Sequence, residues 1–136
     1  MSLPRLLALY VLTLGGFLAV DLLWLGILAR GFYARHLGDM LRPDVNWGAA
    51  FLFYGIYVAG VLILAVFPAL EARSLGRALM LGAVLGFVAY AAYDLTSLAV
   101  MRDFPAGMVP VDMIWGTILT ATTAAVGYGA GRWLLG

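Results

Sequence analysis

The stretch GFVAYAAYDLTSLAVM, Gly86 to Met101, carries one carboxyl group, Asp94, with apolar sequence on both sides. Asp21 and Asp112 stand in similar surroundings. An unpaired carboxylate is expensive to bury in an apolar medium. Such a group therefore either fixes helix register through hydrogen bonds or belongs to a functional cavity. The chemistry open to it there is proton uptake, attraction of a cation, or general acid catalysis. Phenols and indoles at matching spacing supply hydrogen-bond donors and aromatic faces. The candidate ligand-binding set is Asp21, Trp24, Tyr54, Tyr57, Tyr90, Asp94, Ser97, Asp112 and Trp115.

Four uncharged or nearly uncharged runs must position these groups. Leu6–Ala29 has Asp21 as its one charge, and Trp47–Leu70 has none. Ala78–Met101 contains Asp94 alone, and Val109–Gly131 contains Asp112 alone. At a rise of ~1.5 Å per residue each run, as a helix, spans a hydrocarbon core of about 30 Å. Lipid requires the backbone to satisfy its own hydrogen bonds, which favours helices over strands of this length. The expected fold is all-α: a polytopic membrane protein whose single domain, residues 1–136, is a bundle of four transmembrane helices, about 6–29, 47–70, 78–101 and 109–131. The first run is too long for the apolar core of a signal peptide, about 7–15 residues, and reads as a helix. The first connection, Arg30–Asn46, has room for a short interfacial helix around FYARHLGDML, with Phe32, Leu37 and Met40 on the membrane surface.

Depth brings the polar groups together. Asp21 lies about 12 Å from the end of its run at Ala29, and Asp94 about 10 Å from Met101. Asp112 lies roughly 5 Å past Val109, and Tyr54 about 10 Å past Trp47. All four fall in one half of the membrane. Gly82, Gly86, Tyr90 and Asp94 recur every four residues, so Asp94 shares a stripe with small residues that pack closely on a neighbouring helix. Asp112, Gly116, Thr120, Gly127 and Gly131 make a comparable stripe. Two such stripes exceed what a four-helix interior uses, so a homodimer through Gly127 and Gly131 is expected. Tyr90 is the expected hydrogen-bond partner of Asp94, and Asp21 its cross-helix neighbour, the two carboxyls sharing one proton. Asp112 also fits as a cap of its helix N-terminus, and Trp47 and Trp115 as interfacial anchors. Trp133 and Tyr10 fit a belt near the opposite face. The segments DLLWLGIL and DLTSLAVM, each followed by a Trp-Gly pair, suggest two helical hairpins related by an axis along the membrane normal.

Composition narrows the function. The chain is 65% hydrophobic and 11% charged, against about a quarter charged in soluble domains, with a mean hydropathy of +1.02. A net charge of +1 argues against a nucleic-acid partner. No cysteine and a single histidine, His36 in a loop, argue against a disulfide framework and a zinc or haem site. No cofactor or metal is expected, although an oxygen-ligand ion site built from the aspartates stays open. Arg5, Arg73, Arg77 and Arg132 lie on the side of the termini, and Arg30, Arg35, Arg42 and Arg102 on the other. This tie gives no positive-inside bias; the shorter loop favours both termini in the cytoplasm.

The pieces DLLWLG, FYGIY, GFVAYAAYDLTSLAV and VDMIWGTIL, at this spacing, resemble the bacterial membrane proteins of domain-of-unknown-function family 2177. The resemblance covers nearly the whole chain, with Y-x-x-Y-D-L-T and D-x-x-W-G as its specific parts. Members commonly carry Asn where Ser97 stands here, so a side-chain amide is replaced by a hydroxyl. The resemblance implies a multi-pass protein of the bacterial inner membrane and implies no activity.

The leading expectation is binding or transport of a small amphiphilic or cationic ligand, coupled to protonation, with the lipid bilayer as surroundings. The alternatives are a membrane-embedded enzyme acting on a lipid or isoprenoid, with Asp94 or Asp21 as general acid, and a structural partner of another membrane protein.

Overall fold

A computed structural model describes residues 1–41 and 44–136; Arg42, counted above among the loop arginines, lies outside them. Most of the described residues are helical and none is in a strand, and four helices are long and apolar enough to cross a membrane: Leu3–Leu28, Trp47–Ala72, Leu75–Val100 and Met108–Leu135. The first comprises α1 (Leu3–Leu23) and a wider π turn, Trp24–Leu28. A short helix, α2 (Arg30–Leu37), follows. The second span comprises α3 (Trp47–Val61), a π turn over Leu62–Val66 and α4 (Phe67–Ala72). The last two are α5 (Leu75–Val100) and α6 (Met108–Leu135).

Local sequence accounts for the ends. Pro4 opens α1 in its first turn, where a missing N–H costs no hydrogen bond. The Asn46 side chain caps α3 by accepting from the Ala49 N–H at 3.2 Å, and Ser74 caps α5 through the Arg77 N–H at 3.0 Å. Pro68 offers no N–H, and its ring would crowd the carbonyl four residues back in a regular helix. The π turn just before it widens the chain and lets the span continue. Arg5, Arg77 and Arg132 are all helical, so the helices run past the uncharged stretches: a charge marks the membrane border, not the end of the hydrogen-bond ladder.

α6 is the central element, touching α1, α3, the second π turn, α4 and α5. Its pairing with α5 is the most extensive in the bundle. A Cβ on Gly86 would strike the Gly116 carbonyl oxygen, so the two backbones touch there and only glycine fits. Gly127 and Gly131, expected at a dimer contact, are buried within the chain. A Cβ on the first would lie 2.7 Å from Val66, and on the second 2.7 Å from Leu70. The small stripe of α6 is consumed by its own bundle and is not available to a second copy.

The solid apolar core, Leu9 with Val61, Leu62, Ala65, Val66, Ala69, Ala78 and Ala124, fills the half of the bundle nearer the termini. The outward surface of the helices is studded with exposed Leu, Ile, Val and Phe, as a lipid-facing surface requires. Trp133 and Trp47 are 76% and 57% exposed at opposite ends, fitting interfacial anchors. Tyr10 departs from its expected belt position: its hydroxyl donates to the Gly55 carbonyl at 2.9 Å, tying α1 to α3. The loop helix also differs from expectation. Phe32, Tyr33 and Leu37 pack on Phe104, Met108 and Val109 at the start of α6, so its apolar face lies on protein, while Met40 stays exposed.

Candidate functional site

The site forms where α1, α2, α3, α5 and α6 meet. The π turn after Leu23 closes with the Ala29 N–H donating to the Trp24 carbonyl at 2.7 Å, and α2 starts at the next residue. The chain thereby folds back over the end of the bundle and carries Tyr33 to α6. Trp24 Nε1 donates to the Tyr33 hydroxyl at 3.0 Å, and that hydroxyl donates to Asp112 Oδ1 at 2.7 Å. Burial, with the charges of Asp112 and Asp94 behind it, pushes the Tyr33 phenol above its ordinary range, despite the Trp24 N–H that favours the phenolate. Tyr33 therefore remains a donor.

Asp112 lies within α6 beyond its first turn, so it accepts from Tyr33 and caps no helix. It is also the carboxyl whose charge bears on both other aspartates. Asp94 faces Asp112 across the close α5–α6 contact, and Asp21 approaches Asp112 from α1. The expected Asp94–Asp21 pair and the expected Tyr90–Asp94 hydrogen bond are both replaced by this arrangement. The reason is topological: α5 packs on α6 and reaches no extensive contact with α1. Asp94 has 0% exposure, and among the described residues neither of its carboxyl oxygens has a hydrogen-bond partner. The Trp115 indole N–H is directed toward Asp21 but falls outside hydrogen-bonding geometry, and is likewise buried without a partner among the described residues.

Aromatic rings frame the carboxyls. Trp24 and Trp115 stack with centroids 4.5 Å apart and planes 11° from parallel. Tyr90 rests on Gly116, where a Cβ would collide with its ring. Tyr57 shares a 2.7 Å hydrogen bond with Thr120 and packs on Phe17, centroids 5.8 Å apart. Two adjoining cavities result. One, of about 310 Å³, is lined by Asp21, Leu25, Tyr33, Ala50, Phe53, Tyr54, Tyr90, Asp112 and Trp115. The other, of about 350 Å³, is lined by Phe53, Tyr57, Ala89, Tyr90, Tyr93 and Asp112. Phe53, Tyr90 and Asp112 form walls of both.

Of the sequence candidates, Asp21, Tyr54, Tyr57, Tyr90, Asp112 and Trp115 line the cavities. Trp24 backs Trp115, Asp94 lies behind Asp112, and Ser97 is buried one turn beyond Asp94 without lining either space. Tyr33, Phe53 and Tyr93 escape the sequence reading. Phe53 stands four residues before Tyr57 and Tyr93 three after Tyr90, spacings that place each beside a recognised wall residue; Tyr33 belongs to the connection between the first two spans and has no such signal. The two Trp-Gly pairs occupy unlike settings, since Trp47 stacks on Phe51 at the surface, so the internal repeat does not extend into the site. Among the described residues no group of three or more His, Cys, Asp or Glu side chains is arranged to hold a metal ion.

The family described as "Predicted membrane protein (DUF2177)" matches residues 6–129, and the chain belongs to it. No curated protein and no solved structure matches the chain.

Proposed function

We propose that this member of the DUF2177 membrane-protein family binds a small organic cation in its intramembrane cavity and exchanges it for a proton. One observation carries the proposal. Asp21 of α1 and Asp112 of α6 line one cavity, Asp94 of α5 is buried behind Asp112, and no basic side chain among the described residues pairs with any of the three. In a buried structural cluster an arginine or several donors normally balance such charge. Here the balance must come from protons or from a visiting cation.

The aromatic lining supports an organic cation over a hydrated metal ion. Trp115, Tyr54, Tyr90 and Phe53 present rings around the cavity that holds Asp21 and Asp112, and ring faces attract ammonium groups that shed little water. With the cavity empty, a proton held between Asp94 and Asp112 satisfies two facing acceptors at once. Entry of a cation makes the full negative charge of the pair favourable, and the proton leaves. Binding and proton release are thus linked, and linkage works in both directions. Alternating exposure of the cavity to the two membrane faces turns the same exchange into transport.

The bacterial inner membrane, with both termini in the cytoplasm, is the proposed setting; family membership supports a membrane location, and the short Arg-bearing turn at Arg73 and Arg77 supports the orientation. The carboxyl cluster then lies in the outer half of the bilayer.

The test is equilibrium binding of tetramethylammonium to the purified protein in lipid nanodiscs, followed by tryptophan fluorescence. The expected result is saturable binding that tightens as pH rises and is lost in Asp112→Asn and Asp21→Asn. Folded wild-type protein that leaves tetramethylammonium unbound across the pH range contradicts the proposal.

A further inference from the structure

The two cavities differ in character. The one holding Asp21 and Asp112 has polar groups on several sides, whereas in the other Asp112 is the single charged group, at the shared wall. Each volume sits at the lower end of ligand pockets, about 300–1,000 Å³. Joined past Phe53 and Tyr90, they suit a molecule with a compact charged head and an apolar extension.

The apolar cavity also opens sideways. α3 makes no extensive contact with α5; its span reaches α5 through the π turn Leu62–Val66 and α4. The two helices therefore diverge toward the carboxyl end of the bundle, leaving a cleft between them. Phe53 on α3 and Tyr93 on α5 flank it and are 47% and 59% exposed on the outer surface. Tyr93 lies seven residues before the last residue of α5 and Phe53 six after the first of α3. At helical rise both are about 10 Å inside the span, at acyl-chain depth and below the headgroups. At the polar end, the Trp115 N–H on the cavity wall is buried and has no hydrogen-bond partner among the described residues, which leaves a donor facing the head position.

Resting on the cation site proposed above, we infer that the ligand is a single-chain amphiphile. Its cationic head sits against Asp21 and Asp112, and its tail lies between Tyr57, Ala89 and Tyr93 and leaves through the α3–α5 cleft into the bilayer. Phe53 and Tyr90 grip the joint between head and tail. The substrate class is a long-chain ammonium compound or a lipid-like amine, reached from the membrane and not from water.

The experiment compares tetramethylammonium, butyltrimethylammonium and octyltrimethylammonium on wild type, Ala89→Leu and Ala89→Phe in nanodiscs of one lipid composition, with free aqueous ligand measured by dialysis. Comparing variants in the same bilayer cancels partition of the tail into lipid. In wild type the octyl compound is expected to bind about tenfold or more tighter than tetramethylammonium, from a few buried methylenes at about fourfold each. Ala89→Phe fills the apolar cavity and should remove most of that advantage, Ala89→Leu part of it, with tetramethylammonium binding retained in both. Retained tetramethylammonium binding also shows that the variants are folded. If tetramethylammonium binds but the octyl advantage is absent or survives Ala89→Phe unchanged, the tail site is overturned and the cation site stands. If wild type binds none of the three, both fall.

Discussion

The Tyr33 hydroxyl donates a 2.7 Å hydrogen bond to Asp112 Oδ1, joining a loop helix to the carboxyl cluster across 79 residues of sequence. Through this bond α2 is part of the site and not a surface appendage. The same hydroxyl accepts from Trp24, so three elements converge on one oxygen.

Tyr33→Phe removes both bonds and leaves Asp112 and the Trp24 N–H short of a partner. A loss of about 1 kcal/mol is expected, in the range of interhelical hydrogen bonds in membranes. Thermal unfolding in mild detergent measures it. Hydrogen exchange should rise over α2 while α5 and α6 keep their protection; an α2 protected as in wild type would show that the apolar contacts of Phe32 and Leu37 suffice to hold it.

Gly116→Ala places a methyl group in the Tyr90 ring. Overpacking of a tight contact costs typically about 1–3 kcal/mol, and the displaced ring moves into the cavities it lines. Stability and tetramethylammonium affinity should therefore fall together. Gly26→Ala is the control, since nothing lies within 4 Å of the added carbon; it should leave both unchanged.

Gly127→Leu separates two roles for the α6 stripe. At a dimer contact it would yield a folded monomer. Packed as it is, with Val66 and Thr13 against it, the larger side chain should prevent accumulation of folded protein altogether. A well-folded, ligand-binding Gly127→Leu variant would restore the dimer expectation.

Asp94→Asn keeps the shape of the side chain and supplies an N–H that can donate to Asp112. Folding should be preserved. The sign of the pH effect follows from competition: a proton on the pair opposes the cation, so wild-type affinity rises as pH rises, and the amide, which cannot take up or release that proton, flattens the profile. Affinity measured from mildly acid to mildly alkaline pH checks this, and an Asp94→Asn profile as steep as wild type would make Asp94 a bystander.

Helix number, helix order and the clustering of carboxyls in one half of the membrane were legible because charge is scarce. In a chain this apolar, a single Asp in an otherwise uncharged run of membrane-spanning length is conspicuous, and rise per residue converts its position to depth. Partner choice was less legible. Asp94 meets Asp112 and not Asp21 because Gly86 and Gly116 let α5 and α6 touch at the backbone, and the sequence shows glycines without showing which helix each one admits. The fate of Gly127 and Gly131 was hidden for the same reason. Tyr33 was hidden because the π turn at Trp24–Leu28 has no proline to announce it, and only the fold-back after it turns a loop tyrosine inward.

Proton counting by calorimetry tests the exchange most directly. Tetramethylammonium is titrated into wild-type protein in nanodiscs at neutral pH, in buffers of differing ionisation enthalpy, and the buffer dependence of the heat gives the protons released. The predicted result is close to one proton released per cation bound in wild type, falling toward zero in Asp94→Asn. Saturable binding whose heat is the same in every buffer would mean that the carboxyl cluster already carries its full charge, and would contradict the exchange of a proton for a cation.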